Sequence, residues 1–316
     1  MRHFLADDDL TPAEQAEVLE LAARLKRAPY DAQPLDGPRT VAMIFDKPTL
    51  RTQASFGAGI AELGGYPMLV DGKLAGIGVR ESVADVARVV GRQAAAIVWR
   101  TFEQSRLEEM AAHAGVPVVN ALTDDFHPCQ LLADLQTVRE HKASEGGQSL
   151  AGLRVAFVGD GACNMGNSWL LAGATAGMHV VIGAPEDFRP APAMFDRAAQ
   201  IGAGTGGSVA AETDPRAAVE GADVVVTDTW VSMGKEDEAA ARREIFAAYQ
   251  VTTELMALAR QDAIVMHCLP AYRGAEIEAA VLDGPQSVVW DEAENRRHAQ
   301  KAILHFLLGS IGGGDD

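Results

Sequence analysis

The chain has 316 residues, and 44 acidic side chains against 27 basic ones give it a formal charge of −17. Such an acidic chain is not expected to bind nucleic acid, because contact with a phosphate backbone needs basic side chains that displace counterions. With 48% hydrophobic residues the chain can fill the cores of about two domains of roughly 150 residues each, so global disorder is excluded.

No stretch of the sequence has the apolar run of a signal peptide or a membrane span, so we expect a cytoplasmic protein with no membrane partner. The three cysteines, Cys129, Cys163 and Cys268, are odd in number and widely spaced. This pattern predicts neither a disulfide framework nor a zinc site. We therefore expect no metal. Each thiol is expected to be buried or to line a site, and burial is the favoured interpretation for each.

The first predicted helix begins at Pro12, which follows the N-cap residue Thr11. Glu14 completes a capping box with Thr11, because its side chain reaches back to the N-cap backbone. The predicted apolar face of this helix consists of Val18, Leu19, Leu21, Ala22 and Leu25.

After this helix, β-rich runs alternate with helical patterns. Near-continuous apolar strands of this kind are typical of parallel sheets that helices cover on both faces. Four strands are predicted in the first half, at 41–46, 66–71, 95–100 and 117–122. Six more are predicted in the second half, at 154–160, 179–185, 208–213, 223–230, 263–270 and 287–293.

The segment 141–152 is rich in glycine, serine and charge, and it is the predicted linker between the two halves. The sequence therefore predicts an α/β fold of two doubly wound parallel-sheet domains bridged by helices. We expect the first domain at 1–142 and the second at 150–293. The last predicted helix, 294–310, is expected to pack back on the first domain.

Ligands of doubly wound sheets bind at the carboxyl ends of the strands. The first strand leads into a helix start with Thr49, Arg51 and Thr52, whose hydroxyls, guanidinium and free backbone amides suit a phosphate, although such a start is more often only a cap. Arg100 ends the third strand. His127, which as a lone residue is equally compatible with a surface cap, precedes Pro128 and lies about one helical turn from Gln130.

The loop 158–168 contains Gly159 and Gly161, as a dinucleotide-binding loop does. The third glycine of that fingerprint is missing, however, because Asn164 occupies its position and the next glycine is Gly166. Although Glu186 is a candidate for the ribose acid, the broken fingerprint gives a nicotinamide cofactor little support.

The later strand ends offer a different set of groups. Asp228 and Ser232 follow one strand, His267 and Cys268 follow the next, and Arg296 comes shortly afterwards. An acid, a thiol and a guanidinium at one sheet edge suit a small zwitterion better than a large cofactor.

Five motifs in this order resemble those of ornithine carbamoyltransferases, and the resemblance covers essentially the whole chain. They are HPCQ at 127–130, DLQT at 134–137, TDTWVSMG at 227–234, HCLP at 267–270 and ENR at 294–296. The resemblance implies transfer of the carbamoyl group of carbamoyl phosphate to the δ-amine of L-ornithine, in arginine biosynthesis. It also implies a homotrimer or a multiple of trimers, with sites between subunits, and no cofactor.

The resemblance further implies which residues bind the substrates. Carbamoyl phosphate is assigned to Thr49, Leu50, Arg51, Thr52, Arg100, His127, Gln130, Cys268, Leu269 and Arg296, and of these Arg100, His127, Cys268 and Arg296 are the expected catalytic residues. The amino-acid end of ornithine is assigned to Asn164, Asp228, Ser232 and Met233. Gly76 occupies the position from which a loop reaches the neighbouring subunit.

Two departures from the family pattern concern carbamoyl phosphate. The phosphate loop commonly reads STRTR, whereas residues 49–53 read TLRTQ, so that Gln53 replaces a cation. Gly76 stands where the family often has glutamine, which removes a hydrogen bond unless Lys73 or a backbone group replaces it. We expect altered affinity for carbamoyl phosphate rather than altered specificity.

Three alternatives remain open. The chain could carbamoylate another amine, such as putrescine or an acylated ornithine, although Cys268 in HCLP resembles the ornithine pattern and an aspartate-specific relative would be expected to read HPLP. It could also be a non-catalytic paralogue, for which the altered phosphate loop is the only support. A nicotinamide oxidoreductase is the third alternative. The sequence does not tell the biosynthetic from the catabolic direction.

Overall fold

The computed structural model describes residues 1–142, 149–231 and 236–309. The chain forms two compact units. The first consists of Met1–Ala133 together with the described residues from Glu294 onward, and the second is Asp134–Ala293. None of the described helices is both long and apolar enough to cross a membrane.

Helices and strands alternate along the chain. Up to residue 142 they are α1 (Pro12–Arg27), β1 (Thr40–Phe45), α2 (Arg51–Glu62), β2 (Tyr66–Asp71), α3 (Gly72–Ala75), α4 (Val83–Val90), β3 (Ala96–Arg100), α5 (Gln104–Ala114), β4 (Val118–Leu122) and α6 (Pro128–Lys142). From residue 154 they are β5 (Arg154–Val158), α7 (Asn164–Thr175), β6 (His179–Gly183), α8 (Pro192–Thr205), β7 (Ser208–Glu212), α9 (Pro215–Val219), β8 (Val224–Thr227), α10 (Ala239–Phe246), α11 (Thr253–Met256), β9 (Ile264–His267), α12 (Ala279–Leu282) and α13 (Val289–Gly309). Short 3₁₀ helices lie at Asp7–Asp9, Glu186–Phe188, Glu236–Glu238 and Ala247–Tyr249.

The first unit contains a four-stranded parallel sheet in the order β2-β1-β3-β4. Strand order reverses between β1 and β3, which is the point where doubly wound sheets open a crevice for ligands. Phe45, at the end of β1, is in register with Arg100, at the end of β3. The residues that follow these two strands therefore begin at the same edge of the sheet.

The second unit contains a five-stranded parallel sheet in the order β7-β6-β5-β8-β9. Its strand order reverses between β5 and β8. Val158 is in register with Thr227, and Thr227 is in register with His267, so three strands end side by side. The loops that carry Asn164, Asp228 and Cys268 leave the sheet at this edge.

The predicted fold class is confirmed: both sheets are parallel and belong to α/β units. The domain boundaries stay a prediction, because the chain passes between the units inside α6 and α13 and residues 143–148 of the predicted linker lie outside the described residues. The prediction that the strands are buried on both faces is wrong for β2 and β7. Each lies at a sheet edge and contains only exposed and half-buried residues.

The predicted strand 287–293 is wrong. Ser287 makes only an isolated bridge to Val265 of β9, and helix α13 begins two residues later at Val289. Asp291 and Glu292 lie in the first helical turn, where negative side chains interact favourably with the positive end of the helix dipole. The apolar run before these residues is too short to distinguish a strand from the start of a helix.

The start of α1 is confirmed in detail. Thr11 Oγ1 accepts a hydrogen bond from the Glu14 amide at 3.3 Å, and the Glu14 carboxylate accepts one from the Thr11 amide at 2.9 Å. Of the predicted apolar face, Leu21 is half-buried and the other four side chains are buried.

Lys301 of α13 is fully buried in the first unit. Its ammonium group donates to the carbonyls of Leu25 at 3.1 Å and Pro29 at 3.2 Å, and to the Glu62 carboxylate at 2.6 Å. Three acceptors satisfy all three donors of the ammonium group. This one side chain therefore ties α13 to the end of α1 and to α2.

We expect Lys301→Met to lower the free energy of unfolding by about 3 kcal/mol, because it leaves Glu62 and two carbonyls without this donor. The matched control is Arg88→Ala, which removes an exposed ion pair with Asp85 and should cost about 0.5 kcal/mol or less. Urea denaturation measures both. Equal costs for the two variants would contradict the role assigned to Lys301.

Candidate active site

The first unit gathers five of the predicted site residues: three arginines lie around the hydroxyl group of Thr52 and the imidazole of His127. Thr52, in the first turn of α2, is fully buried. Its Oγ1 accepts a hydrogen bond from Arg296 Nη2 at 3.0 Å and lies 3.5 Å from Arg100 Nη1. One guanidinium comes from α13 and the other from the end of β3, so the fold joins three distant segments here.

His127 lies in the same cluster and is 4% exposed. Its pKa is lowered well below the usual 6.5, first by burial and then by the positive charges of Arg296, Arg100 and Arg51. The imidazole is therefore neutral at neutral pH. Three guanidinium groups that act on one buried ring create a positive potential, which suits an anionic ligand.

The residues of the predicted phosphate loop lie at the start of α2, next to this cluster. Thr49 lies one residue before the N-cap Leu50, and its Oγ1 accepts a hydrogen bond from the Thr52 amide in the first turn of α2 at 3.4 Å. Leu50 is 79% exposed, and only its backbone is suited to contact phosphate. Gln130, in the first turn of α6, is buried, whereas Gln53 is half-buried.

Asp46, which directly follows β1, was missed by the sequence analysis. Its Oδ2 accepts hydrogen bonds from Trp99 Nε1 at 3.1 Å and Thr101 Oγ1 at 2.6 Å, and Arg106 lies 3.6 Å away. These contacts hold the ends of β1 and β3 together. Asp46 directly follows β1, and this strand-end position could have identified it as a candidate from the sequence.

The loop that contains Gly76 is held by the same network, since Arg106 donates to the Ile77 carbonyl at 2.7 Å. Gly76 ends α3 with a φ of 67°, a left-handed value that favours glycine. The Arg80 side chain lies over it: a Cβ at Gly76 would be 3.2 Å from Arg80 Cγ. The space that a residue-76 side chain would enter is thus covered by the stem of Arg80.

In the second unit, Asp228 and Cys268 contact each other after β8 and β9. The Cys268 thiol donates to Asp228 Oδ1 at 3.2 Å, and the Thr229 amide donates to the same oxygen at 2.7 Å. Burial raises the pKa of the Cys268 thiol well above its usual value, and the charges of Asp228 and Glu292 raise it further. Burial also raises the pKa of Asp228. Cys268 is therefore a protonated hydrogen-bond donor rather than a thiolate nucleophile.

His267 holds the turn that presents Cys268 and Leu269. Its Nδ1 accepts the Leu269 amide at 2.9 Å, which assigns the proton of the neutral ring to Nε2, 3.2 Å from Glu276. Leu269 has a φ of 57°, which is uncommon for a residue with a side chain. The buried imidazole thus stabilises an unusual backbone conformation at the predicted site.

Within the described residues, Asp228, His267 and Cys268 bring potential metal-ligand atoms within 4.8 Å of one another. Both His267 nitrogens already face protein partners, Leu269 and Glu276. A metal would have to displace one of these contacts and deprotonate the thiol. The residues therefore fit a hydrogen-bond network better than a metal centre, and the absence of a metal stays a prediction.

Glycines in the loop 158–168 are required because neighbouring atoms leave no room for a side chain. A Cβ at Gly166 would lie 2.1 Å from the Gly161 carbonyl oxygen, so the two backbones touch where the loop turns into α7. Asn164 is the first residue of α7, and Cys163 is its N-cap. Glu186, the candidate ribose acid, is exposed. These close contacts explain the glycines without a dinucleotide.

Expected burial holds for Cys129 but is wrong for Cys163 and Cys268, which are half-buried because they lie in loops at the sheet edge. Burial raises the pKa of Cys129 to about 12. Ser232 and Met233 lie outside the described residues. The substrate contacts assigned to the site residues stay predictions.

Two family models match the chain. One, described as the carbamoyl-P binding domain of aspartate/ornithine carbamoyltransferase, matches residues 2–140, and the other, described as its Asp/Orn binding domain, matches residues 151–307. The ornithine carbamoyltransferase of Clavibacter michiganensis is 62% identical over 97% of this chain and 98% of the relative. That of Mycolicibacterium paratuberculosis is 58% identical with the same coverage.

Solved structures give the same result. Ornithine carbamoyltransferase from Pyrococcus furiosus is 41% identical, with a TM-score of 0.92 and coverage of 98% of each chain. An anabolic ornithine carbamoyltransferase from Campylobacter jejuni is 35% identical, with a TM-score of 0.92, and covers 98% of this chain and 100% of its own.

The Asp228–Cys268 contact generates a prediction. Asp228→Asn removes the negative charge that raises the thiol pKa, so alkylation of Cys268 by iodoacetamide at about pH 8 should become severalfold faster. Mass spectrometry of the Cys268 peptide measures the rate. Asp196→Asn, an exposed change on α8, should leave it unchanged. Alkylation of Cys268 at the same rate in both variants would disprove the electrostatic coupling.

Proposed function

Because the chain belongs to the aspartate/ornithine carbamoyltransferase family and transfers a carbamoyl group from carbamoyl phosphate to ornithine, we propose that the arginine cluster of the first unit binds carbamoyl phosphate. The observation that carries this assignment is that the Arg296 and Arg100 guanidinium groups meet at the buried Thr52 hydroxyl. Beside them lies the buried His127, whose pKa is lowered by burial and by the charges of Arg296, Arg100 and Arg51. Carbamoyl phosphate is an anion, and a buried site with this potential favours it over a neutral ligand.

The same residues supply what the reaction needs. When the amine attacks the carbonyl carbon, a carbon–nitrogen bond forms, charge develops on the carbonyl oxygen and the phosphate leaves. The guanidinium groups hold the phosphate and stabilise its charge as the bond to it breaks. The neutral His127 ring and the Gln130 amide are the proposed donors to the carbonyl oxygen. Their fixed positions require no reorganisation during the reaction.

We assign the amino-acid end of ornithine to the second unit, where Asp228 and Asn164 offer a carboxylate and an amide at the ends of β8 and β5. Ser232 and Met233 complete the assignment by resemblance. Ornithine's δ-amine, with a pKa near the lysine value of about 10.4, is neutral in only about one molecule in 10³ to 10⁴ at pH 7. The proposed site selects this neutral amine, and its proton leaves in part to the phosphate.

Cys268 and Leu269 belong to this proposal as neighbours of the attacking amine. The protonated thiol is held by Asp228, and the Leu269 carbonyl is presented by the turn that His267 stabilises. Neither group forms a covalent intermediate, because the amine of the substrate is itself the nucleophile. Their role is to orient the amine and the carbamoyl group.

We further propose a homotrimer in which the segment from β2 to Arg80 contacts a neighbouring subunit. In support, this segment exposes large apolar side chains, at 58% for Tyr66, 58% for Leu69, 82% for Leu74 and 89% for Val79. An apolar patch of this kind is typical of a protein interface. The anabolic relative supports a biosynthetic direction. The cytoplasmic location stays a prediction.

Arg80 is the proposed replacement for the missing Gln at position 76. Its stem covers Gly76, and among the described residues no carboxylate forms an ion pair with its guanidinium. A charge-assisted hydrogen bond from Arg80 to a neighbour's carbamoyl phosphate would offset the loss of the amide.

The proposed function predicts that the enzyme carbamoylates ornithine, and that Arg51→Ala and Arg296→Ala each lower kcat/KM for carbamoyl phosphate at least about 100-fold. Arg27→Ala, an exposed change in the same unit, should lower it less than twofold. The rate is measured as acceptor-dependent phosphate release from carbamoyl phosphate, with ornithine, putrescine, acetylornithine or aspartate as the acceptor. Equal rates with putrescine would overturn the substrate, and full activity of both arginine variants would overturn the site.

A separate prediction concerns the neighbouring subunit. Arg80→Ala should raise the KM for carbamoyl phosphate about tenfold, the equivalent of one charge-assisted hydrogen bond. Lys73→Ala, which removes the other cation of the loop, should leave it within twofold. Sedimentation velocity of the parent should show a trimer. A monomeric active enzyme, or an effect of Lys73→Ala alone, would contradict this assignment.

A further inference from the structure

We propose that Arg242 is a positioning residue for ornithine. It fixes the loop after β5, which leads to Asn164, and the loop after β8, which carries Asp228, in one arrangement. This inference rests on the proposed function, because it assumes that these two residues bind the amino acid.

Arg242 lies on α10 and is 6% exposed. Its Nη1 donates to Asp160 Oδ2 at 2.7 Å and to the Trp230 carbonyl at 3.1 Å. Asp160 lies two residues after the end of β5, and Trp230 lies two residues after Asp228. A single guanidinium nitrogen therefore bonds to both loops that follow the switch point of the second sheet.

The Asp160 end of this bridge leads directly to Asn164. Asp160 Oδ1 accepts the Ala162 amide at 3.2 Å, which fixes the turn before α7. The strands beneath are joined by Thr227 Oγ1, which donates to the Val158 carbonyl at 2.7 Å. Any change in the position of Asp160 is thus expected to move the first turn of α7, where Asn164 lies.

The guanidinium has little freedom to turn. Its Nε donates to Glu238 at 2.7 Å, and its central carbon lies 5.4 Å from the ring centre of Phe188 and 6.0 Å from that of Phe246. The Phe246 ring in turn stacks on Trp230, with centres 5.9 Å apart. Aromatic faces attract the cation and restrict it to one orientation.

Stability alone does not explain a buried charge at this place. Removing an arginine and a carboxylate from water is costly, and replacing such a pair by apolar side chains of similar volume is often neutral or stabilising. What an apolar pair cannot supply is a directed bond to the Trp230 carbonyl and to Asp160. The structure therefore favours a positioning role over a purely stabilising one.

The test separates the two substrates. The double variant Asp160→Leu/Arg242→Met replaces the ion pair with apolar side chains, and Arg242→Lys keeps the charge without the forked geometry. We expect both variants to raise the KM for ornithine, at least tenfold and at least threefold respectively, with the KM for carbamoyl phosphate within twofold of the parent. Glu238→Gln, which changes only the exposed partner of Arg242, should alter neither constant more than twofold.

An unchanged KM for ornithine in either folded variant would overturn the inference, and so would an equal rise in both KM values, which indicates general damage. If the double variant fails to fold, Arg242→Lys carries the test alone. A parent enzyme that does not carbamoylate ornithine would defeat the proposed function, whereas an active parent with insensitive variants would defeat only the role of Arg242.

Discussion

The arrangement of the first unit depends on the burial of one imidazole among three guanidinium groups. Burial and the charges of Arg296, Arg100 and Arg51 all favour the neutral form of His127. Like charges gathered in this way repel one another, so the cluster is most stable when an anion enters it. The ligand that the site selects, the protonation state of its histidine and the chemistry proposed for it follow from this constraint.

The overall negative charge of the chain is unfavourable for binding an anion. A chain of −17 does not attract an anion through its overall field. In the proposed site the attraction comes from three local arginines, Arg51 at the start of α2, Arg100 at the end of β3 and Arg296 on α13. Burial of Arg100 and Arg296 strengthens their effect. In the second unit burial likewise favours the neutral form, because it raises the pKa of the Cys268 thiol and keeps it protonated beside Asp228. Each unit thus uses burial to set the protonation state of one reactive side chain.

Much of this was predictable from the sequence, because local signals determine it. Apolar runs that alternate with helical patterns predicted both parallel sheets, and the cap of α1 followed from Thr11 and Glu14. The error at 287–293 shows the limit of such signals, since a short apolar run does not distinguish a strand from the start of a helix. The strand-end rule also predicted that Thr52, Arg100 and His127 would come together. It placed Arg296 with Asp228 and Cys268 at the later strand ends, whereas Arg296 lies on helix α13 and donates to Thr52 in the first unit.

The supporting residues were not predictable, because their partners are remote in the chain. Arg242 bonds to Asp160, 82 residues earlier, and Lys301 bonds to Glu62, 239 residues earlier. No periodicity or spacing marks such pairs, which depend on how elements pack after they form. The left-handed conformation of Leu269 was equally hidden, since it depends on the buried His267 rather than on a glycine.

The most direct test of the central claim is the protonation state of His127 in the ligand-free enzyme. Nuclear magnetic resonance of the isotope-labelled imidazole, with His127→Gln to assign its signal, follows the ring as the pH is lowered. We expect the ring to be neutral at pH 6.5, the usual histidine pKa, and to stay neutral below it. A ring that is half-protonated at pH 6.5 would show that neither burial nor the three arginines lower its pKa, and would contradict the assignment of the anion site.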